Sequence, residues 1–293
     1  MKKTSLVMAT LAAFALSGCG IHAPGAMALQ RAAVVATAKA DPARFFANSA
    51  IERQAPEAFA LQPEAHDSLQ EIESSVKPAR DALITAVRKD KVLAAQVAGF
   101  DKLSWDAQVP VIKQVVALEA KVMGFQAPPL VIQEGPNQIP SFFEFDVAVG
   151  GTGKVILYPA SIAQEADKFA ALMLAVHEVR HSGQFQLSQA RNGGALGRGF
   201  KAAFKAQHDL KGKLSFCDFC SLLNEYEAFQ AGNYVVGTLT NWQADQRDMG
   251  CLSSQYDAKG QAKIDLWKLS AQVGPAKLLE AFNDAEKPQF GGR

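Results

Sequence analysis

At 293 residues and 48% hydrophobic composition, the chain is long enough to bury a sizeable core and too apolar to be disordered. Its formal net charge of +1 comes without any basic run, which excludes nucleic acid as a partner on electrostatic grounds. Beyond the first residues the longest apolar run is Phe169 to Val176, far short of the roughly 20 residues a membrane-spanning helix needs.

Met1-Lys2-Lys3 is basic, Leu6 to Leu16 is apolar, and small residues follow, so residues 1–18 read as an export signal. Leu16-Ser17-Gly18-Cys19 resembles the lipobox of bacterial lipoproteins. That resemblance implies lipidation of Cys19, a membrane anchor through its acyl chains and a place at the cell envelope. Gly20 lacks the Asp-type retention signal, which points to the outer membrane or the cell-surface side. The competing signal is cleavage after Ala26-Met27-Ala28, farther from the apolar run. Residues 19–63 are rich in Ala, Pro and small polar residues, as a tether or lead-in would be.

Residues 64–125 form an N-terminal helical region. Leu69, Ile72, Val76, Leu83, Ile84 and Val87 recur at helical spacing, with Lys77-Pro78 expected to divide the stretch. A further helix is predicted over Asp106 to Met123, with Pro110 in its first turn and Gly124 at its end. Residues 126–293 change class. Leu130 to Ile132 reads as a short strand, and Phe142 to Val149 followed by Gly150-Gly-Thr-Gly153 and Lys154 to Tyr158 reads as a hairpin. Gly183, and then the glycines at 193, 194, 197 and 199, are expected to interrupt helix and form a connector near a cleft. Helix returns over Phe200 to Leu210, Phe216 to Trp242 and Lys263 to Phe282.

Beyond Cys19 the cysteines are Cys217, Cys220 and Cys251. In an oxidising compartment two of them form a candidate disulfide, either Cys217 with Cys220 or one of these with Cys251. The C-x-x-C pair has no second pair to complete a tetrahedral zinc site and no βαβ surroundings for a redox role.

The chemistry lies at His177-Glu178-x-x-His181. In a helix, positions i and i+4 share a face, so both imidazoles can reach one ion while Glu178 stands beside it as a proton acceptor for water. The apolar run before the motif buries this helix, and three polar groups there need partners.

This pattern resembles the zincin metallopeptidases, and the gluzincins among them, in which the third zinc ligand is a glutamate on a later helix. Gln184 and Leu187 stand where the metzincin extension would need Gly and His. Ser221 to Gly232 looks like the gluzincin E-x-x-A segment, with Glu225 three before Ala228. Glu225 shares its helical face with Leu222, Ala228, Phe229, Gly232 and Val236, so it is expected to point inward. Glu227 lies with Cys220, Asn224, Gln230 and Tyr234 on a face that reads as more solvated; it and His208 stay open as alternatives. Phe229 occupies the position where some gluzincins carry an Asp that orients a zinc histidine, so that role must fall elsewhere.

The resemblance implies an α+β fold, mostly α, with a small antiparallel or mixed sheet before the active-site helix and Lys154 to Tyr158 as the edge strand pairing with substrate. It implies one Zn2+ per chain and a peptide or protein substrate. His208, Tyr226, Tyr234 and Arg180 are candidate donors to the oxyanion, although an arginine at a variable position of the motif is expected to be solvated. Two other readings use the same residues: a non-catalytic zincin-fold protein, and a helical envelope lipoprotein with a structural role.

Overall fold

The computed structural model describes residues 66–135, 137, 139–165, 167–209, 222–243, 256–257, 259–278, 281 and 284–285. The expected signal and tether, Cys19 and the cysteines Cys217, Cys220 and Cys251 lie outside these residues.

Helix α1 (His66–Glu71) runs through a π-helical stretch, Ile72–Val76, into α2 (Lys77–Lys89). Pro78 therefore does not divide the helix as expected. The wider π turn shifts the register just before it, and the proline falls in the first turn of α2, where its missing amide is tolerated. Asp90 caps α3 (Lys91–Ala98), its Oδ1 accepting from the amides of Val92 at 3.1 Å and Leu93 at 3.0 Å. Helix α4 (Trp105–Met123) starts one residue early, so Pro110 is inside it rather than in its first turn, and it stops at Gly124, whose φ of 74° suits glycine.

The sheet holds β1 (Leu130–Ile132), β2 (Ser141–Glu144) and β3 (Lys154–Leu157) in the order β1-β3-β2. The hairpin is present, with Ser141 opposite Leu157 and Glu144 opposite Lys154. β1 joins β3 in parallel, Leu130 opposite Val155. This overturns the expectation that Lys154 to Tyr158 is an edge: β3 is central, and the edge beside the next long helix belongs to β2. A short helix, α5 (Pro159–Ile162), leads toward α6 (Ala170–Gln189), which continues through Gly183 and is buried from Ala170 to Phe185.

The glycine-rich stretch after α6 is the start of a helix, α7 (Gly194–Asp209), and not a connector. Glu71 of α1 supplies the reason: its two carboxylate oxygens accept from the amides of Ala195 (2.8 Å) and Leu196 (2.9 Å), an anion at the helix's positive end. Gly199 serves packing, because a Cβ there would sit 2.4 Å from Leu223 Cδ2. Helix α8 (Leu223–Leu239) and α9 (Leu266–Val273), with a 3-10 turn at Pro275–Lys277, complete the described elements.

The architecture is α+β, mostly α, with a small mixed sheet. One hydrophobic core runs from Leu69 to Leu278, and α6 lies at its centre, packed against α4, α7, α8, β2 and β3. No described helix is long and apolar enough to cross a membrane.

Candidate metal centre

His177 and His181 stack one turn apart on the buried face of α6, with ring centroids 4.6 Å apart and ring planes at 87°. Their Nε2 atoms approach to 3.0 Å. Helix α8 crosses this face closely because of Gly232: a Cβ there would lie 3.2 Å from the Met173 carbonyl oxygen and 3.5 Å from His177 Cβ. Two turns before Gly232 on the same face is Glu225, and its Oε2 reaches His181 Nε2 at 3.3 Å and His177 Nε2 at 3.6 Å. Three donor atoms from two helices thus converge, as the sequence led one to expect for His177, His181 and Glu225, and the group is the one cluster of metal-binding character among the described residues.

The donor set could hold a divalent metal ion. Ligands bound at about 2.0–2.1 Å in a tetrahedron stand about 3.3 Å from one another, and the observed separations of 3.0, 3.3 and 3.6 Å bracket that edge. Two imidazoles and a carboxylate leave a fourth direction without a protein donor, and all three side chains are buried. Burial opposes charge on His181, but Glu225 outweighs it and raises the imidazole to about 9. Burial also opposes the Glu225 anion, yet the two histidines hold this carboxyl well below the ordinary range. A divalent ion would take the place of protons here, because a ligand imidazole must be neutral.

Glu178 has no exposed surface. Its Oε1 accepts a hydrogen bond from Ser141 Oγ at 2.7 Å, from the first residue of the edge strand β2, while Oε2 has no hydrogen-bond partner among the described residues. Burial raises its pKa, and the charges of His177 and His181 pull the other way. A carboxylate with one oxygen pinned and the other bare, next to the metal-binding group, is poised to exchange a proton.

An outer shell orients the donors. His181 Nδ1 lies 2.8 Å from Gln184 Oε1. The Gln184 amide cannot be flipped, because its Nε2 donates to Glu227 Oε2 at 2.5 Å and to the Asn224 carbonyl at 2.9 Å, both acceptors only. So Nδ1 donates to Gln184 and Nε2 is the nitrogen that would face a metal. Gln184, one turn along α6, takes the role left open by Phe229, whose ring packs instead against His177 with centroids 4.4 Å apart. Glu225 is held in the same manner: Gln207 of α7 donates to its Oε1 at 2.6 Å, and Asn224 Nδ2 donates to Gln207 Oε1 at 2.8 Å.

Glu227 lies outside the donor cluster, and its face is not solvated. It is 0% exposed and bonded by Arg80 Nη2 and Arg180 Nε, each at 2.7 Å. Burial disfavours its anion, but Arg180 and Arg80 together hold it down to about 2. Arg180, expected at the surface, is 6% exposed and gives its Nε to this pair. His208 is on the surface and bonds Asp209 at 2.7 Å, away from the cluster. Tyr226 is buried with its hydroxyl accepting from Gln230, and the Tyr234 hydroxyl donates to Asp81 at 2.8 Å; neither is placed to meet an oxyanion at the cluster.

Ser141, Gln184, Gln207 and Arg80 escape a motif reading. Gln184 was the most legible, a polar side chain one turn beyond His181 in a helix otherwise buried by its composition. Comparison with protein-family models, curated proteins and solved structures gives no match for this chain.

Proposed function

We propose that the chain is a zinc-dependent metallopeptidase of the gluzincin kind, with His177, His181 and Glu225 as ligands and Glu178 as general base. The observation that carries this reading is the meeting of two Nε2 atoms and one carboxylate oxygen at tetrahedral-edge distances, with a bare carboxylate oxygen on the residue next to the first ligand. The order of parts also supports it: a small sheet, a motif helix, then a third-ligand helix. The lipobox-like Leu16 to Cys19 supports a place at the cell envelope.

A bound zinc ion supplies Lewis acidity and lowers the pKa of a coordinated water from about 15.7 to about 7. Glu178, through Oε2, accepts the water proton and returns it to the leaving nitrogen. Ser141 keeps Oε1 engaged, which fixes the rotamer that aims Oε2. Gln184 and Gln207 hold one ligand each, so that little reorganisation accompanies the reaction.

Glu178→Gln tests the reading: one zinc per chain and the wild-type fold should persist, while peptide hydrolysis falls about 10²–10⁴-fold. Undiminished hydrolysis by that variant would remove Glu178 from the mechanism. The burial of all four side chains favours a second reading, a zincin-like fold whose metal ties α6 to α8 without turnover. Stoichiometric zinc together with no hydrolysis of any peptide by the wild type selects that reading.

A further inference from the structure

On another face of α6 lies a cavity of about 330 Å³ that includes none of the proposed ligands. Its wall is mostly apolar, with Val76, Met123, Phe125 and Leu196, and Arg180 is the one charged residue among its described lining residues. A guanidinium has five N–H donors in a planar fork. Here Nε is taken by Glu227, and Nη1 meets only the Met123 sulfur at 3.4 Å, a weak acceptor. Nη2 has no acceptor among the described residues, and it is not one of the fully buried atoms, so it opens onto the cavity. An outer nitrogen without a protein acceptor at an apolar wall is a ready donor for an oxygen of a ligand.

Gly183 keeps the space beside those nitrogens open. A Cβ at this position would lie 3.2 Å from Arg180 Nη1 and 2.8 Å from Phe125 Cδ1, so any side chain would close the approach. The local charge is also unbalanced. Arg80 and Arg180 face Glu227, and the remaining carboxyl nearby, Glu119, is pushed well above the carboxylate range by burial. A single positive charge in the wall of a mostly apolar, half-open cleft suits one negative charge on an apolar body. A neutral ligand would leave the outer N–H groups without an acceptor, and a phosphate dianion would find one cation where it needs more.

We propose that this cavity binds a small amphiphilic carboxylate, its head against the outer nitrogens of Arg180 and its hydrocarbon among Val76, Met123, Phe125 and Leu196. Such a head group comes from a short fatty acid or from the C-terminus of an apolar peptide. The site does not depend on metal or hydrolysis.

Titration calorimetry on the folded protein tests it, with octanoate and N-acetyl-leucine as the two carboxylates and octanol and N-acetyl-leucinamide as their uncharged counterparts. At least one carboxylate should bind one per chain, and at least tenfold more tightly than its counterpart; the tighter of the two names the source. Ala79→Phe, which fills the cavity and leaves Arg180 in place, should weaken binding at least tenfold, and Arg180→Gln should abolish the preference for carboxylate over its counterpart. Absence of saturable binding by both carboxylates, equal binding of octanol and octanoate, or unchanged affinity in Ala79→Phe would each overturn the proposal.

Discussion

Glu225 and Glu227 stand two residues apart on α8, both buried, both ionised, and each is neutralised by different chemistry. Glu227 faces two guanidiniums, which do not lose their protons in the accessible pH range, so its compensation is permanent. Glu225 faces two imidazoles, whose ring nitrogens, unlike a guanidinium, can give up a proton and bind a metal instead. One region is thereby a fixed strut between three helices, and the other is conditional and open to a cation. The two are joined by Gln184, which touches His181 with one end and Glu227 with the other. What separates a structural from a functional buried carboxylate here is whether its partners can let go.

The largest effect should come from breaking the permanent side. Glu227→Ala leaves Arg80 and Arg180 buried without their anion and should lose about 3–5 kcal/mol in urea unfolding, whereas Glu225→Ala should lose bound metal and much less stability. Equal stability losses in the two variants, measured metal-free, would erase the distinction. Cutting the link is the next test. Gln184→Leu should reduce zinc affinity about 10–100-fold, measured by chelator competition, because His181 loses the acceptor that sets its tautomer; wild-type affinity would make the amide a packing group only.

The smallest effect concerns Glu119 on α4, fully buried with no hydrogen-bond partner for either oxygen among the described residues. Its carboxyl is raised above the ordinary 4.5, chiefly by burial, so the folded state holds this proton more tightly than the unfolded state. Wild-type stability from this group is therefore present below pH 4.5 and declines as pH rises above it. Glu119→Met should be more stable than wild type by about 1–3 kcal/mol at pH 8, with the gain shrinking toward pH 4.5. A gain that does not change with pH would mean that Glu119 does not titrate in this window.

The metal cluster was legible because its signals are local: i, i+4 spacing gives the histidine pair, and the small and apolar neighbours of Glu225 aim it inward. Glu227 was not, since periodicity treats a polar face as a wet one and cannot tell water from a guanidinium. Its partner Arg80 sits 147 residues away, a separation no spacing rule spans. The order of the sheet failed for a similar reason: the hairpin announces β2 and β3, but the parallel pairing of β1 places β3 in the middle and leaves no mark in either strand. The glycines of α7 read as loop because their helix is secured from outside, by the carboxylate of Glu71, and because Gly199 answers the contact with Leu223.

That carboxylate reaches further than its own contact. Gln207, the amide that steadies Glu225, rides on the last turn of the helix whose opening amides Glu71 secures. A chain starting after Glu71 would leave the opening amides of α7 without their acceptor, so the helix that carries Gln207 would lose the anion at its positive end.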